Sequence, residues 1–495
     1  MTAKPRHLGE LDPALHAPLS VRDEIRRNLI AAMRKREPLF PGIVGYEDTV
    51  EPQIVNALLA RHDLILLGLR GQAKTRICRL LTQFLDDEVP VIPGSALREH
   101  PLAPITRASI ARIEEEGASM PIEWIPREER YAEKLATPDV TMADLIGDID
   151  PLKAAHRKLD LSDEEVINFG IIPRSNRGVF TVNEIPDLAP RIQVGLLNIL
   201  EEQDVQIRGF PLRIPLDVLM VFSANPEDYT NRGSIITPLK DRIASQILTH
   251  YPRSRDDAKV ISAGESWLDR GDDLSTVNIP GFVEDIVEEV AFVGRESEYV
   301  DQTSGVSARL SIAARELLVS QVERRIATGC SESGTARLID LSQVVPAITG
   351  KVELVYEGEQ EGAITVARHL VGKACANVFD SLFPDVMREG SEPQAQNDRY
   401  KPVLDWFASG KQLELSDDMD DEAFRTALES VPGLKGLAAK FVQPEEGGEV
   451  DLAELSAAME LVLEGLHQHS LLAKEDVLRG VSYSDMLGVM MEGLQ

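Results

Sequence analysis

A glycine-containing loop that ends in a lysine–threonine pair is the part of the sequence with the clearest chemistry. The segment LLGLRGQAKTRICRLL (66–81) matches the phosphate-loop spacing G-x-x-x-x-G-K-[ST], except that Ala73 stands at the second glycine position. Lys74 would contact the β- and γ-phosphates of a nucleotide, and the Thr75 hydroxyl would bind Mg²⁺. If the backbone at Ala73 is close to right-handed helical values, alanine fits there without strain. The loop predicts a nucleotide site, and a chance match is the alternative.

Polar residues also follow two apolar runs. GVFTV (178–182) leads into Asn183 and Glu184, and DVLMVFSA (217–224) leads into Asn225. The Glu184 carboxylate could orient an attacking water, whereas Asn183 offers a neutral oxygen that could hold a metal-bound water. The Asn225 amide could bridge that water and the γ-phosphate. The alternative for each is an ordinary polar turn at the end of a strand.

Two arginines could neutralise charge that develops on a transferring phosphoryl group. Arg242 lies in ITPLKDRI, and Arg309 lies in SGVSARLS. Either guanidinium could come from the same subunit or from a neighbour. A solvated salt bridge is an equally good interpretation of each arginine taken alone.

These residues need a sheet that brings strand ends together. LILL (64–67) precedes the loop, apolar residues at helical spacing follow it, and a helix over 190–203 separates the two later apolar runs. Alternating strands and helices predict a parallel α/β sheet. A helix is also predicted over 21–35, and beyond about residue 283 the pattern becomes helical.

Composition narrows the classes of partner. The chain has 495 residues and a formal net charge of −30, which disfavours nucleic acid and anionic membrane surfaces as partners. No apolar run reaches the length of a membrane span, and the first residues contain no signal-peptide core. We expect a cytoplasmic protein. Cys78, Cys330 and Cys375 are far apart and lack metal-ligand spacing, so free thiols are expected.

Together these motifs resemble the AAA+ ATPases, in particular the clade of the magnesium-chelatase ATPase subunit and the MoxR-like ATPases. GLRGQAKT resembles their Walker A loop, GVFTVNEIPDL their Walker B strand, and PGIVGYE the segment whose backbone contacts adenine. Asn225 resembles sensor 1, Arg242 the arginine finger and Arg309 sensor 2. The nucleotide-binding residues implied by the resemblance are Ile43, Val44, Gly45, Gly68, Leu69, Arg70, Gly71, Gln72, Ala73, Lys74, Thr75 and Arg76.

Two further stretches carry the resemblance. Residues 144–177 resemble the helix-2 insertion of this clade, and residues 204–218 resemble the hairpin before sensor 1, with a turn at Arg208-Gly209. The resemblance covers about residues 40–385. The implied organisation is a lead-in helix (1–40), an α/β nucleotide-binding domain (41–282), an α-helical lid (283–386), a linker (387–400) and an acidic helical C-terminal domain (401–495).

The resemblance implies ATP and Mg²⁺ as ligands, with Thr75 and Asn183 on the metal side, and an ATP-hydrolysing homo-oligomeric ring, expected to be a hexamer. It also implies a partner with a von Willebrand factor A domain, used for remodelling or metal insertion. Asn183 replaces the Walker B aspartate, which predicts weaker metal binding and slow turnover.

Two other functions stay open. Asn183 could make hydrolysis negligible, so that ATP only sets the conformation of a nucleotide-gated scaffold. An enhancer-binding transcriptional activator is less favoured, because the chain has no GAFTGA segment and its C-terminal helices are acidic.

Overall fold

The computed structural model describes residues 4–157, 164–207, 213–225, 234–271, 277–330, 334–386, 398–440, 442, 451–477 and 479–486. The chain divides into two compact units, Met1–Tyr251 and Pro252–Gln495. The finer domain boundaries expected from the sequence remain predictions. In the described ranges, no helix is both long and apolar enough to cross a membrane.

The first unit alternates strands and helices. Its strands are β1 (Leu64–Leu67), β2 (Glu88–Val91), β3 (Glu123–Pro126), β4 (Tyr131–Leu135), β5 (Gly147–Ile149), β6 (Ile167–Phe169), β7 (Gly178–Asn183), β8 (Asp204–Gln206), β9 (Arg213–Pro215), β10 (Val218–Ala224) and β11 (Ser245–Leu248). Its α-helices are α1 (Val21–Lys35), α2 (Val50–Leu59), α3 (Lys74–Leu80), α4 (Arg107–Glu116), α5 (Met142–Leu145), α6 (Pro151–Arg157), α7 (Ile171–Arg174), α8 (Pro190–Gly195), α9 (Leu197–Glu202) and α10 (Thr237–Arg242).

Five of these strands form one parallel sheet in the order β11-β1-β10-β7-β4. The central strands are buried on both faces, which explains why they read as continuous apolar runs. Leu67 pairs with Ala224 and with Leu248, so three strands end at one level. The predicted fold class, an α/β P-loop NTPase with a parallel sheet followed by a helical region, is confirmed.

Smaller elements flank this sheet. β5 and β6 pair antiparallel inside the predicted helix-2 insertion, and β8 and β9 pair antiparallel inside the predicted hairpin. The turn predicted at Arg208-Gly209 lies outside the described residues. The single helix predicted over 190–203 is two helices, α8 and α9, divided at Leu196. Gly195, at the end of α8, weakens helix continuity because glycine loses the most backbone entropy on ordering.

Helix α1 is tied to the sheet by buried charges. Arg22 donates twice to Asp63, at 2.7 and 2.9 Å, and Asp63 also accepts from the backbone N–H of Met220 at 2.8 Å. Glu24 accepts from both terminal nitrogens of Arg130, at 2.6 and 2.7 Å. Buried charges require such partners, so α1 is part of the core of the first unit.

The second unit is mainly helical. Its α-helices are α11 (Arg255–Glu265), α12 (Gly281–Glu296), α13 (Arg309–Ala327), α14 (Val345–Thr349), α15 (Tyr356–Glu361), α16 (Ala363–Leu382), α17 (Lys401–Ala408), α18 (Asp421–Glu429), α19 (Leu434–Ala438) and α20 (Leu452–Gln468), with a 3-10 segment at Leu338–Val344. Three strands that were not predicted, β12 (Leu413–Ser416), β13 (Leu472–Val477) and β14 (Gly480–Asp485), form an antiparallel sheet. One hydrophobic cluster extends from Val283 to Tyr483.

Candidate functional site

The predicted phosphate loop connects β1 to α3 and turns through left-handed backbone. Gly71 has a φ of 77°, and Ala73 has a φ of 56° and a ψ of 12°. The condition under which alanine would fit without strain, a backbone close to right-handed helical values, is therefore not met at Ala73. Left-handed backbone brings the alanine Cβ close to the following carbonyl, so this position carries strain that a glycine would avoid.

The start of the loop leaves no room for a side chain. A Cβ added to Gly68 would lie 2.0 Å from Thr249 Oγ1 and 2.1 Å from Gln72 Oε1. Those two atoms are themselves hydrogen-bonded at 2.6 Å. The glycine is required because the loop closes directly over the end of β11.

Lys74 occupies the centre of the loop. Its side chain is buried, and its Nζ donates to the carbonyls of Gly68 and Leu69, the latter at 2.9 Å. It also donates to Asn225 Oδ1 at 2.7 Å. Among the described residues, acceptors from the loop and from the end of β10 thus converge on this one ammonium group. The structure brings the predicted lysine and the predicted sensor amide into direct contact.

The neighbouring strand β7 carries the predicted metal and base residues. Ser223, buried near the end of β10, donates from Oγ to Asn183 Oδ1 at 3.0 Å. The same hydroxyl accepts from the backbone N–H of Glu184 at 3.4 Å. Glu184 has a φ of 56° and a ψ of 49°, which turns the chain sharply at the strand end. Asn183 ends β7, and Glu184 and Asn225 directly follow β7 and β10, so the three residues lie at the same edge of two paired strands.

Sequence reasoning missed Ser223. The available signal was a single hydroxyl in VLMVFSA, a run that is otherwise apolar and fully buried. A buried hydroxyl needs a hydrogen-bond partner, so it indicated a polar neighbour on the adjacent strand.

Two tyrosines hold the phosphate loop in place, and neither was predicted from the sequence to belong to the site. The single O–H of Tyr46 donates to the carbonyl of His250 at 2.8 Å, and the carbonyl of Gln72 lies at 3.1 Å as a second acceptor for the same proton. Tyr251 donates to the carbonyl of Arg70 at 2.9 Å. Burial raises the pKa of Tyr46 to about 12, against the opposing hydrogen bond with His250. Tyr46 thus remains a neutral donor at physiological pH and holds the loop in place.

The predicted adenine segment lies beside the start of α3. A Cβ added to Gly42 would lie 2.4 Å from a guanidinium nitrogen of Arg76. Ile43, Val44 and Gly45 are each partly exposed, and they directly precede Tyr46 in the chain. The segment is therefore next to the phosphate loop, as a nucleotide base site requires, although its role remains a prediction.

Other predicted residues have different surroundings. Thr75 is the second residue of α3 and is partly exposed. Arg242, at the end of α10, forms an ion pair with Glu201 at 2.6 Å and donates to the Pro238 carbonyl at 3.0 Å. Arg309 begins α13 in the second unit, where its backbone N–H donates to Ser307 Oγ at 3.2 Å.

Cys78 lies in α3 behind the loop and is fully buried. Burial raises the pKa of its thiol to about 12, so it stays protonated and is a poor nucleophile.

Over the residues that the structure describes, no group of three or more His, Cys, Asp or Glu could hold a metal ion. A magnesium ion at this edge would depend on Thr75, Asn183 and nucleotide phosphates, the usual manner of Mg²⁺ binding beside phosphates.

The arrangement suits phosphoryl chemistry. It combines an anion-binding type of turn, a buried ammonium, an amide in contact with it and a carboxylate on the adjacent strand. Catalysis of phosphoryl transfer needs positioning and charge neutralisation of this kind.

Comparison with known proteins gives partial likenesses. No protein-family model matches the chain. The hydrogenase transcriptional regulatory protein HoxA of Cupriavidus necator is 34% identical over 85 residues, which is 17% of this chain and 18% of that protein. The chain therefore matches less than a fifth of the length of this relative.

The likeness to solved structures is low throughout. NtrX from Brucella abortus has a TM-score of 0.34 at 13% identity and covers 59% of this chain and 53% of its own. Hsp104 with ATPγS and FITC casein has a TM-score of 0.38 at 12% identity, covering 63% and 49%. A complex of magnesium chelatase subunits BchI and BchD has a TM-score of 0.33 at 18% identity, covering 65% and 98%. These similarities are too low to support a conclusion about this chain, so the fold assignment rests on the strand order and the loop described above.

Proposed function

We propose that this chain is an AAA+ ATPase of the magnesium-chelatase or MoxR-like type that binds and hydrolyses ATP with Mg²⁺. The observation that carries the proposal is the 2.7 Å contact between Lys74 Nζ and Asn225 Oδ1 at the carboxyl edge of the sheet. Ligands of open parallel sheets bind at this edge. Glu184 follows the adjacent strand, which gives the same edge a candidate base.

Each residue has a distinct role in this proposal. Lys74 exchanges the loop carbonyls for phosphate oxygens when ATP binds, which replaces neutral acceptors by charged ones. Glu184 orients the attacking water, and Asn225 aligns it against the γ-phosphate. Thr75 and Asn183 hold the metal side of the site. A bound magnesium ion would neutralise charge on the β- and γ-phosphates.

The proposed active form is a homo-oligomeric ring, expected to be a hexamer. Arg242 would complete the site of an adjacent subunit, and Arg309 would act as sensor 2. The helix-2 insertion and the paired strands β8 and β9 would act on a partner protein with a von Willebrand factor A domain, for remodelling or metal insertion. Because the finger comes from a neighbour, turnover requires assembly.

The test is a steady-state ATPase assay over a range of protein concentrations, with oligomeric state measured in parallel by light scattering. We expect turnover per subunit to rise as the chain assembles. No turnover at any concentration, with assembly observed, would contradict the proposed enzyme.

A second candidate is a nucleotide-gated scaffold. It is favoured by the contact of Asn183 Oδ1 with Ser223, which leaves a neutral amide where a metal-binding carboxylate would increase affinity for Mg²⁺. The variant Asn183→Asp separates the two candidates. If the neutral amide alone limits hydrolysis, the variant turns over ATP whereas the unmodified chain only binds it. Turnover by the unmodified chain excludes the scaffold.

A transcriptional activator of the enhancer-binding type is the third and least favoured candidate. The sequence likeness to HoxA supports it over 85 residues. The absence of a GAFTGA segment and the net charge of −30 oppose it. Salt-dependent binding to duplex DNA, measured by fluorescence anisotropy, would favour this function over the other two.

A further inference from the structure

The second unit contains a cavity of about 480 Å³. Its walls are the 3-10 segment Leu338–Val344, the helices α16 and α20, and the hairpin of β13 and β14. Leu338, Val371 and Val481 contribute apolar wall, and charged side chains from α20 and β13 also face the space. Small-molecule sites in proteins have volumes of roughly 300–1,000 Å³, and the wall of this cavity combines apolar and polar residues in similar numbers.

Two carboxylates on one face of α20 line this cavity. Glu460 is 1% exposed and Glu464 is 5% exposed, and their spacing of four residues places them on adjacent turns. Two like charges at this spacing repel each other, and burial of each charge is costly. Each carboxylate therefore needs a partner.

The surroundings neutralise one carboxylate more fully than the other. Glu464 accepts from Lys474 Nζ at 2.7 Å, Tyr483 OH at 3.0 Å and Gln468 Nε2 at 3.0 Å. Glu460 accepts from the backbone N–H of Leu338 at 2.8 Å. Within the described part of the chain, no lysine or arginine forms an ion pair with Glu460.

The other charges lining the cavity are paired at its rim. Arg368 contacts Asp476 at 2.7 Å, and Asp417 contacts Arg324 at 3.2 Å. The described lining residues include four carboxylates and three cations, counting only Asp, Glu, Lys and Arg. With Glu460 protonated, the remaining lining carboxylates and cations balance, and a cation that pairs with Glu460 in its ionised form would keep that balance.

We propose that this cavity binds a small organic cation, an amine or a guanidine with an apolar stem, whose charged head pairs with Glu460. The apolar wall suits the stem, and the buried carboxylate suits the head. A metal ion is a poorer fit, because the described residues offer no cluster of three metal-binding side chains. The inference does not depend on the nucleotide chemistry of the first unit.

The titration of Glu460 supports this geometry. Burial, and next the charge of Asp340, raise the pKa of the Glu460 carboxyl to about 8, whereas Lys474, the N–H of Leu338 and Arg337 oppose the shift. At neutral pH the carboxyl is therefore largely protonated. A bound cation favours the ionised form, so binding should release about 1 proton.

The experiment is isothermal titration calorimetry of the full chain at pH 7 with n-butylamine and n-butylguanidine, and with n-butylurea as the neutral control. We expect both cations to bind and the urea not to bind. Repeating each titration in buffers of different ionisation enthalpy measures proton release without any variant. The methylamides of N-acetyl-lysine and N-acetyl-arginine mimic a basic side chain of a partner protein. Tighter binding of these methylamides than of the butyl compounds indicates a partner side chain, and weaker binding indicates a free small molecule.

Matched variants locate the binding. Glu460→Gln keeps an acceptor for Leu338 but removes the charge, so cation binding should weaken by about tenfold or more. Glu475→Gln, on the exposed side of β13, should leave binding unchanged. Undiminished binding by Glu460→Gln, binding of the urea equal to that of the cations, binding without proton release, or no binding by any cation would each overturn the proposal.

Discussion

Lys74 Nζ lies 2.7 Å from Asn225 Oδ1, although the two residues are 151 positions apart in the chain. Two residues before Asn225, on β10, Ser223 Oγ donates to Asn183 Oδ1 at 3.0 Å. The end of β10 therefore contacts the phosphate loop on one side and the end of β7 on the other. A displacement of this strand end would disturb both halves of the proposed site.

Ser223 is predicted to position the end of β7. Replacing it by alanine removes a buried hydrogen bond to Asn183 and the acceptor for the N–H of Glu184. We expect ATP turnover to fall roughly tenfold, which corresponds to about 1.4 kcal/mol, with little change in ATP affinity. Steady-state kinetics and calorimetric ATP binding give the two values.

The matched control for Ser223→Ala is Ser245→Ala. Ser245→Ala likewise removes a serine hydroxyl that is hydrogen-bonded, here with His62 at 2.9 Å, but Ser245 lies at the amino end of β11. Equal losses of turnover in both variants would indicate a general loss of stability and no positioning role for Ser223.

The left-handed backbone of Ala73 predicts a stabilising substitution. Ala73→Gly relieves strain of about 1–2 kcal/mol and increases the entropy of the unfolded chain, for a net gain of roughly 0.5–1 kcal/mol. Urea unfolding, monitored by spectroscopic signals from the first unit, measures this change in the free energy of unfolding. Ala31→Gly, at an exposed position inside α1, should lose about 1 kcal/mol instead. A change of the same sign in the free energy of unfolding of both variants would contradict the strain at Ala73.

Sequence reasoning identified the elements but not their contacts. The bounds of α1 and the apolar runs of β7 and β10 were predicted because buried strands and amphipathic helices leave periodic patterns. The bridge from Ser223 to Asn183 depends on strand register, which one sequence does not encode locally. The backbone angle at Ala73 likewise depends on how the loop closes over Thr249.

In the second unit, sequence patterns did not predict three strands and the burial of one helix. The strands β12, β13 and β14 were missed because they carry polar and charged residues, unlike the continuous apolar runs of the buried strands in the first sheet. Helix α20 was expected to be part of an acidic helical domain, yet every residue from Leu455 to Leu466 is buried. Its two buried glutamates could not be distinguished from solvated ones, because their environment is formed by distant segments.

Arg242 is predicted to act on the site of a neighbouring subunit. Arg242→Ala and Lys74→Ala should each abolish turnover, whereas a mixture of the two variants should recover part of it. In mixed rings, some interfaces combine an intact loop with an intact arginine. Turnover of each variant and of the mixture is measured at one total concentration.

Glu201→Gln is the control for the mixing experiment, because it removes the ion-pair partner of Arg242 and keeps the arginine. This variant should retain turnover. A mixture that assembles but stays inactive would show that Arg242 does not act between subunits.

The raised pKa of Glu460 predicts that the free energy of unfolding depends on pH. Its pKa is raised from 4.5 to about 8 in the folded chain, so the folded state holds a proton that the unfolded state has released between these values. The contribution of this group to the free energy of unfolding is full below about pH 4.5 and is lost as the pH rises through 8. Denaturant unfolding at pH 5 and pH 8.5 should show a smaller loss of stability in Glu460→Gln than in the unmodified chain. An identical loss in both would contradict the raised pKa.

The most direct test of the proposed nucleotide site is Glu184→Gln, assayed for ATP binding and for ATP turnover in the same preparation. The glutamine keeps the size of the side chain but cannot act as a base, so we predict ATP affinity close to that of the unmodified chain and turnover reduced by about a hundredfold or more. Glu202→Gln, an exposed carboxylate at the end of α9, should change neither value. Turnover that persists in Glu184→Gln would show that Glu184 is not the base, and loss of ATP binding together with turnover would contradict the division of roles at this edge of the sheet.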